Sequence, residues 1–202
     1  GDDDMARAKA KLAEEMGVPF LHFKMLPKAG GGYRKPHPYA PPKPASYDPF
    51  SRGNGASKAA MLLGSVPREG DAAVYERTAL EVVQLAFDIA ALTGLDKHTT
   101  AEGHPMPGLS VLLSILEGKA IVDAGSRITA EQVMRANPFL SATAAESKAR
   151  SIRSRVETLK GELEKPGSIV NGAISDTRSL VNMTLNDPSV GMFLGPGTTP
   201  VL

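Results

Sequence analysis

The chain has 202 residues, with 23 Lys and Arg against 22 Asp and Glu, 42% apolar residues and no cysteine. A disulfide framework, a thiolate nucleophile and a Cys-ligated metal are thereby excluded, and a net charge of +1 gives the molecule as a whole no strong pull towards nucleic acid or membrane. Aromatics make up 5% and tryptophan is absent, so the core must be aliphatic, which favours helices over a β-sandwich.

Residues 2–16 read as a short helix. Asp2, Asp3 and Asp4 suit a helix N-terminus and Gly17 suits a left-handed stop. Its apolar stripe (Ala6, Ala10, Leu12) is thin, so it needs a partner to be stable.

Residues 18–56 read as an extended arm. Gly30-Gly31-Gly32 is a hinge rather than a phosphate loop, since Tyr33 and a proline run follow it and no Gly-Lys-Ser/Thr is present. Pro36, Pro38, Pro41, Pro42, Pro44 and Pro49 forbid helix and central strand and favour polyproline II. From Lys24 to Arg52 six basic residues (Lys24, Lys28, Arg34, Lys35, Lys43, Arg52) face one acid, Asp48.

A helical body is expected over 57–187. Ser57 opens a short helix to Leu63, and Asp71 opens a long one to Thr93, stopped by Gly94. The long helix is apolar nearly all round and reads as the central buried one. Its Arg77, Glu81, Gln84 and Asp88 form one polar line, read as a solvated stripe rather than an acid/base pair. Residues 95–108 are a loop and 109–118 a short apolar helix. Thr129 with Gln132 makes a capping box for a helix ended by Pro138. Thr143 with Glu146 makes a second, opening a helix to about Lys165 with a seam of Ala149, Ile152, Val156, Leu159 and Leu163. A last helix over 168–186 is expected to pair antiparallel with it, and 188–202 is an uncharged Pro/Gly tail. The expected fold is all-α: one domain of about six helices, flanked by an N-terminal arm (1–56) and a C-terminal tail (188–202).

Asp96, His98, Glu102 and His104 place four metal-ligand types within nine residues, but the spacing matches no known ligand pattern and the segment reads as a polar loop. No nucleophile elbow, His-Glu-x-x-His or dinucleotide fingerprint occurs. The expectation is a non-enzyme without metal or cofactor.

Lys148, Arg150, Arg153 and Arg155 follow one another without an intervening acid, and on a helix they flank the apolar seam on both sides. Such a rim suits phosphate neutralisation or a solvated, salt-bridged face. With Arg34 and Lys35 of the arm they are the candidate nucleic-acid contacts, and binding would be independent of base sequence. The arm buries too little to fold alone. Prolines lower the entropy lost on docking and aromatics supply contact area, so Tyr33, Pro36, Tyr39, Pro42, Tyr47 and Phe50 are expected to lie along a neighbouring copy.

This layout resembles, in general plan only, coat or nucleocapsid subunits of helical viral particles and arm-bearing subunits of large ribonucleoprotein machines. The resemblance implies a self-assembling structural subunit, homo-oligomeric through both terminal arms, with nucleic acid (RNA first) as partner. The alternative is a protein-interaction adaptor that offers the proline-rich arm as a ligand. A metal-dependent enzyme built on His98, Glu102 and His104 is a third reading. No apolar run approaches the ~18 residues that span a bilayer, and GDDDMARAKAK has no apolar leader. The protein is therefore expected inside a cell or a viral particle.

Overall fold

The computed structural model describes residues 2–16, 48–51, 53–64, 71–99, 101, 103 and 106–186. The fold is all-α. Among the described residues eight helices run in order: α1 (Asp2–Glu15), α2 (Gly55–Leu63), α3 (Asp71–Thr93), α4 (Gly108–Ile115), α5 (Gly118–Gly125), α6 (Ala130–Ala136), α7 (Ala142–Leu163) and α8 (Ile169–Asn186), with one 3₁₀ turn at Leu95–Lys97. No strand occurs among the described residues.

α3 is the axis of the body. Val82, Val83, Leu85, Ala86, Phe87, Ile89 and Ala90 are all buried, because this stretch is apolar around most of its circumference and neighbours cover it on several sides. α2, α4, α5, α6 and α8 all pack against it. Gly94, at φ 79°, ends the helix in the left-handed conformation that glycine adopts without steric cost.

The apolar stretch after residue 108 is two helices rather than one. α4 ends at Ile115, Glu117 is extended (φ −141°, ψ 135°), and the chain turns into α5, which is additional to the expected elements. Gly125, at the end of α5, lies so close to α3 and α7 that a Cβ there would sit 2.4 Å from Val156 Cγ2 and 2.7 Å from Ile89 Cδ1.

Thr129 caps α6 with the full reciprocal box to Gln132. α7 is capped by Ser141, whose side chain accepts from Ala144 N, and not by Thr143. Asn54, not Ser57, caps α2: its side chain accepts from the Ser57 backbone N–H.

The seam of α7 is buried at Ala149, Ile152, Val156 and Leu159. Its principal neighbours are α6 and α5 rather than α8, and α8 lies chiefly on α3 and α4. The expected α7–α8 hairpin is thus replaced by two helices that share α3 and its neighbours and touch each other only marginally. Within α8, buried Thr177 satisfies its hydroxyl by donating to Ala173 O at 2.7 Å.

The body begins before residue 57. Asp48, 4% exposed, accepts from Phe50 N through Oδ1 (2.9 Å) and from Gly108 N through Oδ2 (2.6 Å). Phe50, expected on a neighbouring copy, is buried in the core of its own chain. Its ring stacks on Phe87 with centroids 6.2 Å apart and planes 5° from parallel. Lys58, itself buried, places its ammonium 5.3 Å from the Phe87 ring centroid, so the aromatic face supplies part of the electrostatic attraction lost on leaving water. The other proposed arm residues (Tyr33, Pro36, Tyr39, Pro42 and Tyr47), the basic Arg34 and Lys35, and the tail 188–202 lie outside the described residues.

Candidate assembly and nucleic-acid surface

α7 carries four basic side chains of the candidate interface, and the fold divides them into two kinds. Lys148 and Arg150 are exposed, and neither forms an ion pair within 4 Å among the described residues. Arg153 is engaged: its guanidinium donates to Ile128 O at 2.5 Å and to Glu146 Oε1 at 2.9 Å, tying α7 to the α5–α6 connection. Arg155 is engaged on the opposite side, 3.8 Å from Asp88 Oδ2 and donating to Glu81 O at 3.4 Å. These two guanidiniums hold α7 onto its neighbours, so the side chains able to meet a phosphate without first breaking an internal contact are Lys148 and Arg150. The exposed Lys160 lies further along the same helix.

The polar line on α3 is partly structural. Arg77 and Glu81 form the i,i+4 pair at 3.0 Å, exposed and worth a few tenths of a kcal/mol. Asp88 is different. Burial raises its pKa above the usual carboxylate value, while Arg155, Lys148 and the Gly55 and Gln84 hydrogen bonds pull it back only in part. Its carboxylate lies where a Gly55 Cβ would be, 2.4 Å away, so the glycine lets α2 approach α3 over this charge.

Tyr75 of α3 donates to Asp176 of α8 at 2.6 Å, and its ring rests on Gly172. Desolvation, then the hydrogen bond and charge of Asp176, push the phenol up to about 12, so this link between α3 and α8 stays protonated through the physiological range.

Two hollows among the described residues bear on these side chains. The smaller, about 160 Å³, is lined by Asp48, Lys58, Phe87 and Asp96 among others. Both Asp48 oxygens already accept backbone N–H groups, so this carboxylate is occupied as a helix cap. The larger is a groove of about 360 Å³ between α3, the second half of α7 and the start of α8. Val74, Val82, Leu85, Leu159, Ile169 and Val170 line it together with Glu81, Arg155 and Glu162.

Among the described residues no three His, Asp or Glu side chains gather into a metal-binding group. Asp96 and His98 are exposed, and Glu102 and His104 lie outside the described residues. No described helix is long and apolar enough to cross a membrane.

Several large apolar side chains stay in water. On α1, Met5, Leu12 and Met16 are all more than half exposed and, at spacings of seven and four, share one face. Val74 and Ile169 face the groove, Leu180 and Met183 stand on α8, and Phe139, between α6 and α7, is 98% exposed. Sequence reading misses Phe139 and the groove, because the first lies in a turn and the second exists only where three helices diverge. Comparison with protein-family models, with curated proteins and with solved structures finds no match for this chain.

Proposed function

We propose that the protein is a structural subunit that assembles with further copies of itself and contacts nucleic acid through phosphate, without reading bases. The observation that supports assembly best is the uncovered face of α1. A helix of 14 residues is marginal in isolation, and this one leaves Met5, Leu12 and Met16 in water. Such a face gains stability when it docks on a second molecule. The proline-rich segment after it then needs to be only a tether and an additional contact strip.

The contact to nucleic acid rests on Lys148 and Arg150, the two of the four candidate α7 cations with no ion pair among the described residues. Arg34 and Lys35 add to them from the segment before the body. Each phosphate neutralised releases counterions, so affinity for a single-stranded homopolymer should fall steeply between low and physiological salt. Reversing both Lys148 and Arg150 to Glu should flatten that slope by about two contacts' worth. A salt-insensitive wild-type isotherm would remove nucleic acid from the function.

Assembly is tested by sedimentation velocity on the full chain and on residues 48–202. The cut is placed at 48 because Asp48 and Phe50 belong to the folded body. The full chain should show species above the monomer and the truncated chain should lose them or bind more weakly. A full chain that remains monomeric at every concentration would support the adaptor reading instead.

A further inference from the structure

We propose that the smaller hollow, between α2, α3 and the start of α4, binds a small organic carboxylate. The Lys58 ammonium is the anchor of its charge, and the apolar side chains around it seat its hydrocarbon part. This site is separate from the α7 cations and does not depend on self-assembly.

Lys58 is an unusual residue for the place it occupies. The buried positions of α2 are Gly55, Lys58 and Ala59, one face at spacings of three and four. A lysine on such a face is seldom buried unless it is paired. Lys58 is 7% exposed, yet its ammonium has no hydrogen bond and no ion pair among the described residues. The ring of Phe87, with its centroid 5.3 Å away, offsets only part of the lost hydration. The N–H donors of the ammonium are therefore left without an acceptor.

Lys58 lines a hollow of about 160 Å³ together with Phe50, Phe87, Met106, Pro107 and Val111. That volume is close to the roughly 150 Å³ in which an apolar cavity takes up benzene, so it suits an acid with a short hydrocarbon chain. The walls are held in place without a ligand. Met106 N donates to His98 O at 2.9 Å, Gly108 N donates to Asp48 Oδ2 at 2.6 Å, and Phe50 stacks on Phe87. A site formed in advance loses little further entropy on binding.

Two acids share the lining, and neither supplies the missing acceptor. Asp48 accepts the Phe50 and Gly108 N–H groups, and the N-terminus of α4 answers its charge. Asp96 is exposed, so water screens it. What remains is a buried cation beside apolar side chains. A carboxylate brings the opposite charge and a charge-assisted hydrogen bond, and its hydrocarbon part removes the apolar lining from water. An inorganic anion meets only the first demand, and a neutral amide of the same shape only the second.

The test titrates isovalerate, a branched short-chain carboxylate, into the full chain and follows it by NMR. Its neutral isostere isovaleramide, acetate and inorganic phosphate are titrated in parallel. Isovalerate should shift the methyl resonances of Met106 and Val111 and bind about 10-fold or more tightly than each of the other three. Lys58→Met keeps much of the side-chain volume and removes the charge. It should weaken isovalerate about 10-fold or more and leave isovaleramide unchanged. Met106 and Val111 resonances that stay in place with every probe at millimolar concentration would overturn the site. Isovaleramide binding wild type as well as isovalerate does, or Lys58→Met binding isovalerate as wild type does, would overturn Lys58 as the anchor. Acetate or phosphate matching isovalerate would overturn the apolar seat. The comparison of the four probes needs wild type alone, so it decides the matter whatever the stability of Lys58→Met.

Discussion

Asp48→Ala is expected to lower the unfolding free energy by about 2–4 kcal/mol, a large effect for a residue in a proline-rich stretch. α4 begins at Gly108 behind Pro107, which has no side chain that could cap it. Its first N–H is satisfied by Asp48 Oδ2 instead, from sixty residues upstream. The other oxygen closes the turn onto Phe50 N, and so holds the ring against Phe87. Alanine leaves two buried donors without partners and frees Phe50 to leave the core. Asp48→Asn retains one acceptor but turns an NH₂ group towards a donor, so it should fall between the two. Urea denaturation on the 48–202 chain reads the difference as a shift in midpoint at constant slope. A loss below about 1 kcal/mol would mean that the Asp48 bridge does not close the body. The same bridge anchors residues 48–50 beside α3 and α4.

Phe50 also shows where sequence reading runs out. It stands one residue after the last of six prolines, and nothing local separates it from Tyr39 or Tyr47. Its fate is decided by a hydrogen bond to a glycine 58 positions away from it, a contact that no periodicity encodes. The long elements were legible for the opposite reason. α3 and α7 carry their pattern over many turns, and the reciprocal box at Thr129 and Gln132 is a local chemical event. The Thr143 and Glu146 pair has the same spelling, yet Ser141 is the cap. Glu146 pairs with Arg153 two turns later, and the hydroxyl that caps the helix is that of Ser141, two residues earlier. Of the four α7 cations, spacing alone put Arg153 and Arg155 on opposite flanks of the seam, as the structure does. What it could not supply was the Ile128 carbonyl and the Asp88 carboxylate that engage them.

A matched pair of glycine substitutions should move stability in opposite directions. α5, the element least visible in the sequence, is short and glycine-bounded, and its place in the fold depends on how close it can come to α3 and α7. At Gly125 the absent side chain is the space taken by Val156 and Ile89, both fully buried. Gly125→Ala must move a β-branched side chain whose rotamer the α7 seam already fixes, so it should cost about 1–3 kcal/mol by overpacking. Gly161 is also helical, within α7, but exposed, and a Cβ there meets nothing within 4 Å. Gly161→Ala removes backbone freedom from the unfolded chain and adds helix propensity, so it should stabilise by about 0.5–1 kcal/mol. Thermal melts of the two variants beside wild type decide the matter. If both substitutions stabilise, α5 does not pack as tightly against α7 as described. If both destabilise, the second half of α7 around Gly161 is not the open, unstrained helix described.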